Sequence, residues 1–128
     1  MHYLDNDELR NETIRCKEQH QMSERLGAML VKLVTVYSRK ENFCGYSFIN
    51  DMRSHAYLRL MVNWQRYDPK RSPNAFAFYT LIIHHSFLQV IKSESRIQRH
   101  KDEAYVEAGL APSYKYQINE EEKQHVSA

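Results

Sequence analysis

Glycine and proline are scarce, three of each in 128 residues, and runs of β-branched residues are few. A sheet of many short strands needs turn formers at close intervals, so it is excluded as the economical reading and helices are left. Cysteine is scarcer still. Cys16 and Cys44 stand apart with no C-x-x-C pair, which removes a disulfide framework and a thiolate metal site and leaves two free thiols. Long apolar runs are missing too. The longest, Ala28 to Val36, is broken by Lys32 and is too short to span a bilayer. No charged-then-apolar leader opens the chain, so no membrane and a cytoplasmic setting are expected. There is no internal repeat, no Gly-rich phosphate loop and no Ser/His/Asp set in a supporting context, and an enzyme is not expected. Seven histidines are many, but none makes H-E-x-x-H or C2H2 spacing, and His84-His85 point about 100° apart on a helix. Neither a metal nor a cofactor is expected.

What is present is a folding composition, 42% hydrophobic and 12% aromatic, with charge sorted along the chain. Residues 1–63 carry nine Lys/Arg against eight Asp/Glu, residues 64–101 seven against two, and residues 102–128 two against six. The net +2 therefore hides a centre of +5 beside a tail of −4. A polyanion partner follows more readily from that sorting than from the total.

The spacing predicts an all-α chain, a compact bundle of three to four helices. Residues 1–22 are polar and read either as a loose helix or as an arm that orders on binding. Residues 23–101 form the helical domain and residues 102–128 an acidic tail. The first firm helix runs from Ser23, a good N-cap, to about Arg39, with Met22, Leu26, Met29, Leu30, Leu33 and Tyr37 on one core stripe. Glu41-Asn-Phe-Cys-Gly45 breaks it. A second helix spans about Ser47 to Gln65 with Ile49, Ala56, Leu60 and Trp64 on its core face. Its opposite face holds Asp51, His55, Leu58 and Val62, which is either a partner surface or scattered exposed aliphatics. Tyr67-Asp-Pro-Lys-Arg-Ser-Pro73 is a loop because two prolines interrupt helical hydrogen bonding. Asn74 then caps a long third helix to about His100, with a core stripe of Phe76, Tyr79, Ile83, Phe87, Val90 and Ile97. A short helix from Asp102 to Ala108 ends at Gly109, and the last dozen residues read as mobile.

The side of the third helix away from the core reads Phe78, Leu81, His85, Gln89, Lys92, Arg96 and Arg99. Lys70 and Arg71 precede its N-terminus, where free amides favour phosphate. Four such cations on phosphates would make binding fall about a hundredfold over a fourfold rise in salt. Tyr67, Phe76, Phe78 and Tyr79 interleave with these cations. A stacked aromatic returns about 1–3 kcal/mol of the few kcal/mol lost when a base leaves the duplex. The other reading keeps Phe76 and Tyr79, which lie on the core stripe, as core.

These residues carry a resemblance. Tyr67-Asp-Pro-Lys through Asn74-Ala-Phe-Ala-Phe-Tyr-Thr80 and on to Phe87-Leu-Gln-Val-Ile-Lys92 resembles the heart of region 2 of bacterial sigma factors. The whole order is similar to that of the T-even-type phage late-transcription sigma factors: Leu26 to Leu33 for the first helix, Asn42-Phe-Cys-Gly-Tyr46 for an N-F-x-G-Y turn, Asp51-Met52 for an acidic-Met pair. The likeness covers about residues 23–99. It implies a sigma-like initiation factor that binds bacterial RNA polymerase core and directs it to phage late promoters in the cytoplasm of the infected host. Asp51, Met52, His55, Leu58 and Val62 would meet the clamp coiled coil of the polymerase's largest subunit. Tyr67, Lys70, Arg71, Phe76, Phe78, Tyr79, His85, Gln89, Lys92, Arg96 and Arg99 would meet promoter DNA at an A·T-rich minus-ten-like element, with Ser86/Gln89 and His85/Leu88 competing as the duplex-edge pair. Arg53, Ser54, His55 and Tyr57 depart from the Gln/Glu/Asn pattern of primary sigma factors, and Ile82 and Ile83 stand where those have tryptophans. The resemblance also raises a separate coactivator and a sliding clamp as partners. The tail keeps Glu120–Glu122 without the aliphatic–aromatic cluster that holds the clamp in that family. The rival reading is a polymerase-binding coactivator or anti-sigma-type protein that never touches DNA.

Overall fold

The computed structural model describes the backbone of residues 4–127 and the side chains of residues 4–124. Within them the chain is all-helical, with α1 (Asn6–Gln19), α2 (Glu24–Ser38), α3 (Ile49–Asn63), a 3-10 turn (Trp64–Arg66), α4 (Ala75–Glu107) and α5 (Tyr114–Ser127). No strand occurs among the described residues, and no helix there is long and apolar enough to cross a membrane. The chain divides into two compact units, Met1–Val90 and Ile91–Ala128, and α4 contributes residues to both.

The first unit holds the apolar core. Leu26, Leu30, Leu33 and Val34 of α2, Met52, Ala56 and Leu60 of α3, and Tyr79, Ile83 and Phe87 of α4 are buried together with Trp64 and Tyr67. Ser23 caps α2 by accepting from Leu26 N at 3.0 Å, as the N-cap preference requires. Phe43, in the turn after α2, is 4% exposed and packs edge-on against Phe87 at 5.2 Å between centroids. That aromatic plug closes the α2–α3 turn more firmly than its loop sequence suggests.

The polar opening segment is a helix of the core. Asp5 caps α1 by accepting from Asp7 N at 2.9 Å, and the left-handed His20 (φ 55) returns its amide to Cys16 and Lys17 carbonyls. The buried face is Leu9, Glu12, Thr13 and Cys16, only half of it apolar, which is why hydropathy alone misses it. Glu12 is 4% exposed and is held from all sides. Arg15 donates to it, Ser23 Oγ donates at 2.6 Å, and Arg25 lies at 3.6 Å. The hydrogen bonds from Arg15 and Ser23, opposed by desolvation, push its carboxyl from 4.5 down to about 2.

A folded value below the ordinary one means that the unfolded chain takes up the proton first as pH falls. The stabilisation is complete above about pH 5 and drains away toward about pH 2. Glu12→Gln is therefore expected to cost about 2 kcal/mol at neutral pH and to flatten the acid limb of stability. Urea midpoints at about pH 7 and about pH 3 check this; equal acid sensitivity in both proteins would refute it.

The second unit contains the rest of α4, a turn at Gly109 (φ +77) and α5, where a mobile end was expected. Asp102 is 2% exposed and accepts from Ser113 N at 2.9 Å, Ser113 Oγ at 2.7 Å and Gln98 Nε2 at 3.2 Å. These donors, the Ser113 amide first, hold its carboxyl below the usual range. Ser113 in turn begins α5, its carbonyl accepting from Gln117 N at 3.1 Å. So α4 does not stop near residue 100, and one buried carboxylate joins it to a second helix. Asp102 is the only buried side chain in this unit among the described residues. Ile97, which spacing puts on the core stripe, is 46% exposed there, because among the described residues its unit has no buried apolar side chain to pack against.

Candidate protein- and nucleic-acid-binding surfaces

The loop before α4 is tied down at both ends. Tyr67 is 1% exposed; its hydroxyl donates to Ser72 O at 2.8 Å and its carbonyl accepts from Lys17 Nζ at 2.6 Å. Its ring packs on Phe78 at 5.4 Å and Tyr79 at 6.5 Å. Tyr79 is fully buried, its hydroxyl 2.8 Å from Thr13 Oγ1, and burial pushes its ionisation well above the usual phenol range. Tyr67 and Tyr79 are thus core side chains. Neither offers a face to a base, because ring and hydroxyl are both spent inside the protein. For Tyr79 the core reading of its stripe is the one the packing follows. Phe76 and Phe78 are half-buried and keep part of each ring at the surface, where Phe76 lines an open cavity with Asn6, Arg10, Pro73 and Asn74.

The start of α4 is not an empty anion cradle. Asn6 of α1 accepts from Phe76 N at 3.0 Å and Asn74 accepts from Ala77 N at 3.0 Å, so two of the first amides are already satisfied. Lys70 and Arg71 are exposed on a turn built by Asp68, which accepts from Lys70 N through its side chain at 2.9 Å and from Arg71 N through its carbonyl at 3.1 Å. They bring charge without the helix terminus behind them.

On α3 the outward face carries Asp51, exposed, and His55, half-buried, with Leu58 at 62% and Val62 at 65% exposure. Met52 departs from that set. It is fully buried, one turn before Ala56 on the i, i+4 row that continues to Leu60, so it packs the core and has no surface to give a partner. His55 Nε2 donates to Gln89 Oε1 at 2.8 Å. That bond joins the α3 face to the outward row of α4, where Leu81, His85 and Gln89 are exposed. Sequence reading treats these rows as separate surfaces, since nothing in the periodicity of one helix reports which side of it meets another.

His84 turns inward, its Nδ1 2.7 Å from Tyr37 Oη; Lys40 lies 4.3 Å over the Tyr37 ring. No three His, Cys, Asp or Glu side chains converge on a metal-sized site among the described residues.

Within the second unit, Lys92, Arg96 and Arg99 are exposed and occupy i, i+4 and i+7 of one helix face. Arg99 approaches Glu103 at 4.0 Å; Lys92 and Arg96 make no ion pair among the described residues. The bracing residues that sequence reasoning misses are those of α1, namely Asn6, Thr13 and Lys17, which hold the loop and the start of α4. The capping pattern Asp5-x-x-Glu8, followed by Leu9 and Cys16 one heptad apart, is the signal that was available. No family model matches the chain, and no curated protein matches it either.

Proposed function

We propose that this chain is a sigma-like transcription initiation factor that binds bacterial RNA polymerase core and directs it to phage late promoters, where it recognises and helps open an A·T-rich minus-ten-like element. The observation that carries the reading is the exposed row of Lys92, Arg96 and Arg99. Like charges on one helix face repel, and a phosphate backbone relieves that repulsion while releasing counterions. Lys70 and Arg71 supply cations from the first unit. Phe76 and Phe78 supply the partly open rings, each able to return about 1–3 kcal/mol to an unstacked base. The face of Asp51, His55, Leu58 and Val62 docks on the polymerase. The protein contributes binding and positioning, acts in the cytoplasm of the infected host and needs no cofactor or catalytic residue of its own.

The second reading is a polymerase-binding coactivator or anti-sigma-type protein without DNA contact. The burial of Tyr67 and Tyr79 favours it, since it removes two of the four rings otherwise available to an opened strand.

Run-off transcription with core polymerase on phage late promoters, with and without the chain, tests the proposal: promoter-directed transcripts should depend on it. Leu58→Asp with Val62→Asp is expected to weaken core polymerase binding about a hundredfold, each aliphatic side chain contributing about 1.5–3 kcal/mol on burial. Both side chains are exposed, so the fold should persist, as the far-ultraviolet spectrum and urea midpoint would show. Undiminished polymerase binding by this variant would remove α3 from the interface.

A further inference from the structure

The loop before α4 is bonded from both ends of α1. At the start of that helix Asn6 Nδ2 donates to Pro73 O at 3.3 Å and Asn6 Oδ1 accepts from Phe76 N at 3.0 Å. About 16 Å further along it, Lys17 Nζ donates to Tyr67 O at 2.6 Å. Both side chains belong to half-buried residues. Lys17 makes no ion pair among the described residues, and its charge is turned inward onto a carbonyl.

These bonds end on the backbone behind two rings. Phe76 N is one of the first amides of α4, which a helix cannot satisfy from within. Its acceptor comes from Asn6, seventy residues away in sequence, whereas the next amide, Ala77 N, is satisfied locally by Asn74 at 3.0 Å. The Tyr67 ring packs on Phe78 at 5.4 Å, so the carbonyl that Lys17 holds belongs to the residue that supports Phe78. Phe76 and Phe78 are half-buried, the rings assigned above to an opened strand.

We infer that Asn6 and Lys17 are positioning residues for strand opening: they hold the first turn of α4 and the Tyr67 ring, so that Phe76 and Phe78 meet an unpaired base already ordered. This role rests on the proposed opening of an A·T-rich element and assigns part of that step to α1, a helix with none of the residues that touch DNA in that proposal. Without the Asn6 acceptor the first turn of α4 frays, and the chain is competent for only a fraction of the time. Apparent affinity for the opened strand falls by that fraction. Duplex binding draws mainly on Lys92, Arg96 and Arg99 in the other unit and is spared, so the two steps separate.

The test uses the full chain, core polymerase and a promoter with a fluorescent adenine analogue in the A·T-rich element, so that opening and duplex binding are read apart. Asn6→Ala should lower the open fraction about tenfold, the effect of leaving one part-buried amide without its acceptor. Duplex affinity should change less than about threefold, as for distant sites. Lys17→Met keeps the stem, removes the donor and should do the same from the other end of the loop. Asn6→Asp keeps an acceptor for Phe76 N and should recover most of the opening. Opening that falls only in step with the folded fraction from urea unfolding, equal loss of opening and duplex binding, or no recovery in Asn6→Asp would each overturn the role. Amide exchange in the chain alone, followed by NMR, separates the two claims. Asn6→Ala should speed exchange at Phe76 about tenfold and leave Ile83 unchanged; unchanged exchange at Phe76 would dispose of the brace itself. If exchange quickens but the parent chain opens no promoter, the initiation reading fails and the positioning role falls with it, while the brace remains. If the parent chain opens promoters and Asn6→Ala opens them as well, the positioning role fails and the initiation reading stands.

Discussion

Replacing Lys92, Arg96 and Arg99 together by glutamate is expected to lower promoter-directed transcription about a hundredfold while leaving core polymerase binding within about twofold. Each phosphate contact contributes about 0.9 to the salt exponent, so losing three removes about 2.7 from it. Near 0.2 M salt that alone is a factor of about eighty, before the repulsion of the new carboxylates is added. The three side chains are exposed, and among the described residues the only ion pair lost is the contact of Arg99 with Glu103 at 4.0 Å, a surface pair of little stabilising effect. The thermal midpoint should scarcely move. Two measurements decide the matter: the slope of DNA affinity against salt for the parent chain and the triple variant, and run-off transcription at fixed salt. A slope that stays unchanged, with transcription intact, would remove this helix face from the DNA contact. It would leave the coactivator or anti-sigma reading in possession of the field.

The second large effect is structural. Phe87→Ala is expected to destabilise the first unit by about 4 kcal/mol, within the range for emptying a buried aromatic site. Phe87 is fully buried, with the Phe43 ring edge-on at 5.2 Å and the Tyr37 ring tilted at 5.7 Å. Aromatic pairs add about 0.5–1.5 kcal/mol each beyond area burial, and both pairs vanish together. Against a typical domain stability of about 5–15 kcal/mol the variant stays only marginally folded. Phe87→Leu, which refills most of the volume, should cost less than about half as much. Equilibrium urea unfolding measures both. A loss under about 1 kcal/mol for the alanine variant would show that the ring is not a packing centre, and the account of the α2–α3 turn would fall with it.

How far this architecture could be read from residues depends on what each helix buries. Helix α2 was legible because Ser23 is a strong cap and Leu26, Leu30 and Leu33 mark a single stripe; the structure buries all three. Helix α1 was not, since Glu12 and Thr13 sit where apolar residues would have announced a face, and their burial is made good by Arg15 one turn along the same helix and by Ser23 and Tyr79 from elsewhere. Helix α5 was hidden for a related reason: the anchor that begins it is a carboxylate–serine contact, and polar anchors leave no periodic trace. Met52 shows an error of a different kind. Its spacing from Ala56 and Leu60 already pointed inward, and likeness to an acidic-Met pair led the reading outward. The same holds for Tyr79, on the row of Ile83 and Phe87. For the candidate site, exposure of Asp51, Leu58, Val62, Lys92, Arg96 and Arg99 follows from helical geometry alone. The His55–Gln89 bond could not have been foreseen, because pairing between helices is a tertiary property.

The bracing of the stretch between Tyr67 and Asn74 by α1 has an evolutionary corollary. Lys17 grips the carbonyl at one end, Asn6 binds Pro73 O at 3.3 Å and Phe76 N at the other, and among the described residues the tip at Pro69, Lys70 and Arg71 is hydrogen-bonded only to Asp68 within its own turn. Insertions, deletions or altered charge at that tip would be absorbed locally, with the helices on either side undisturbed. Sequence drift is therefore cheapest there, whereas change at Asn6 or Lys17 would have to be matched by compensating change some fifty residues or more away.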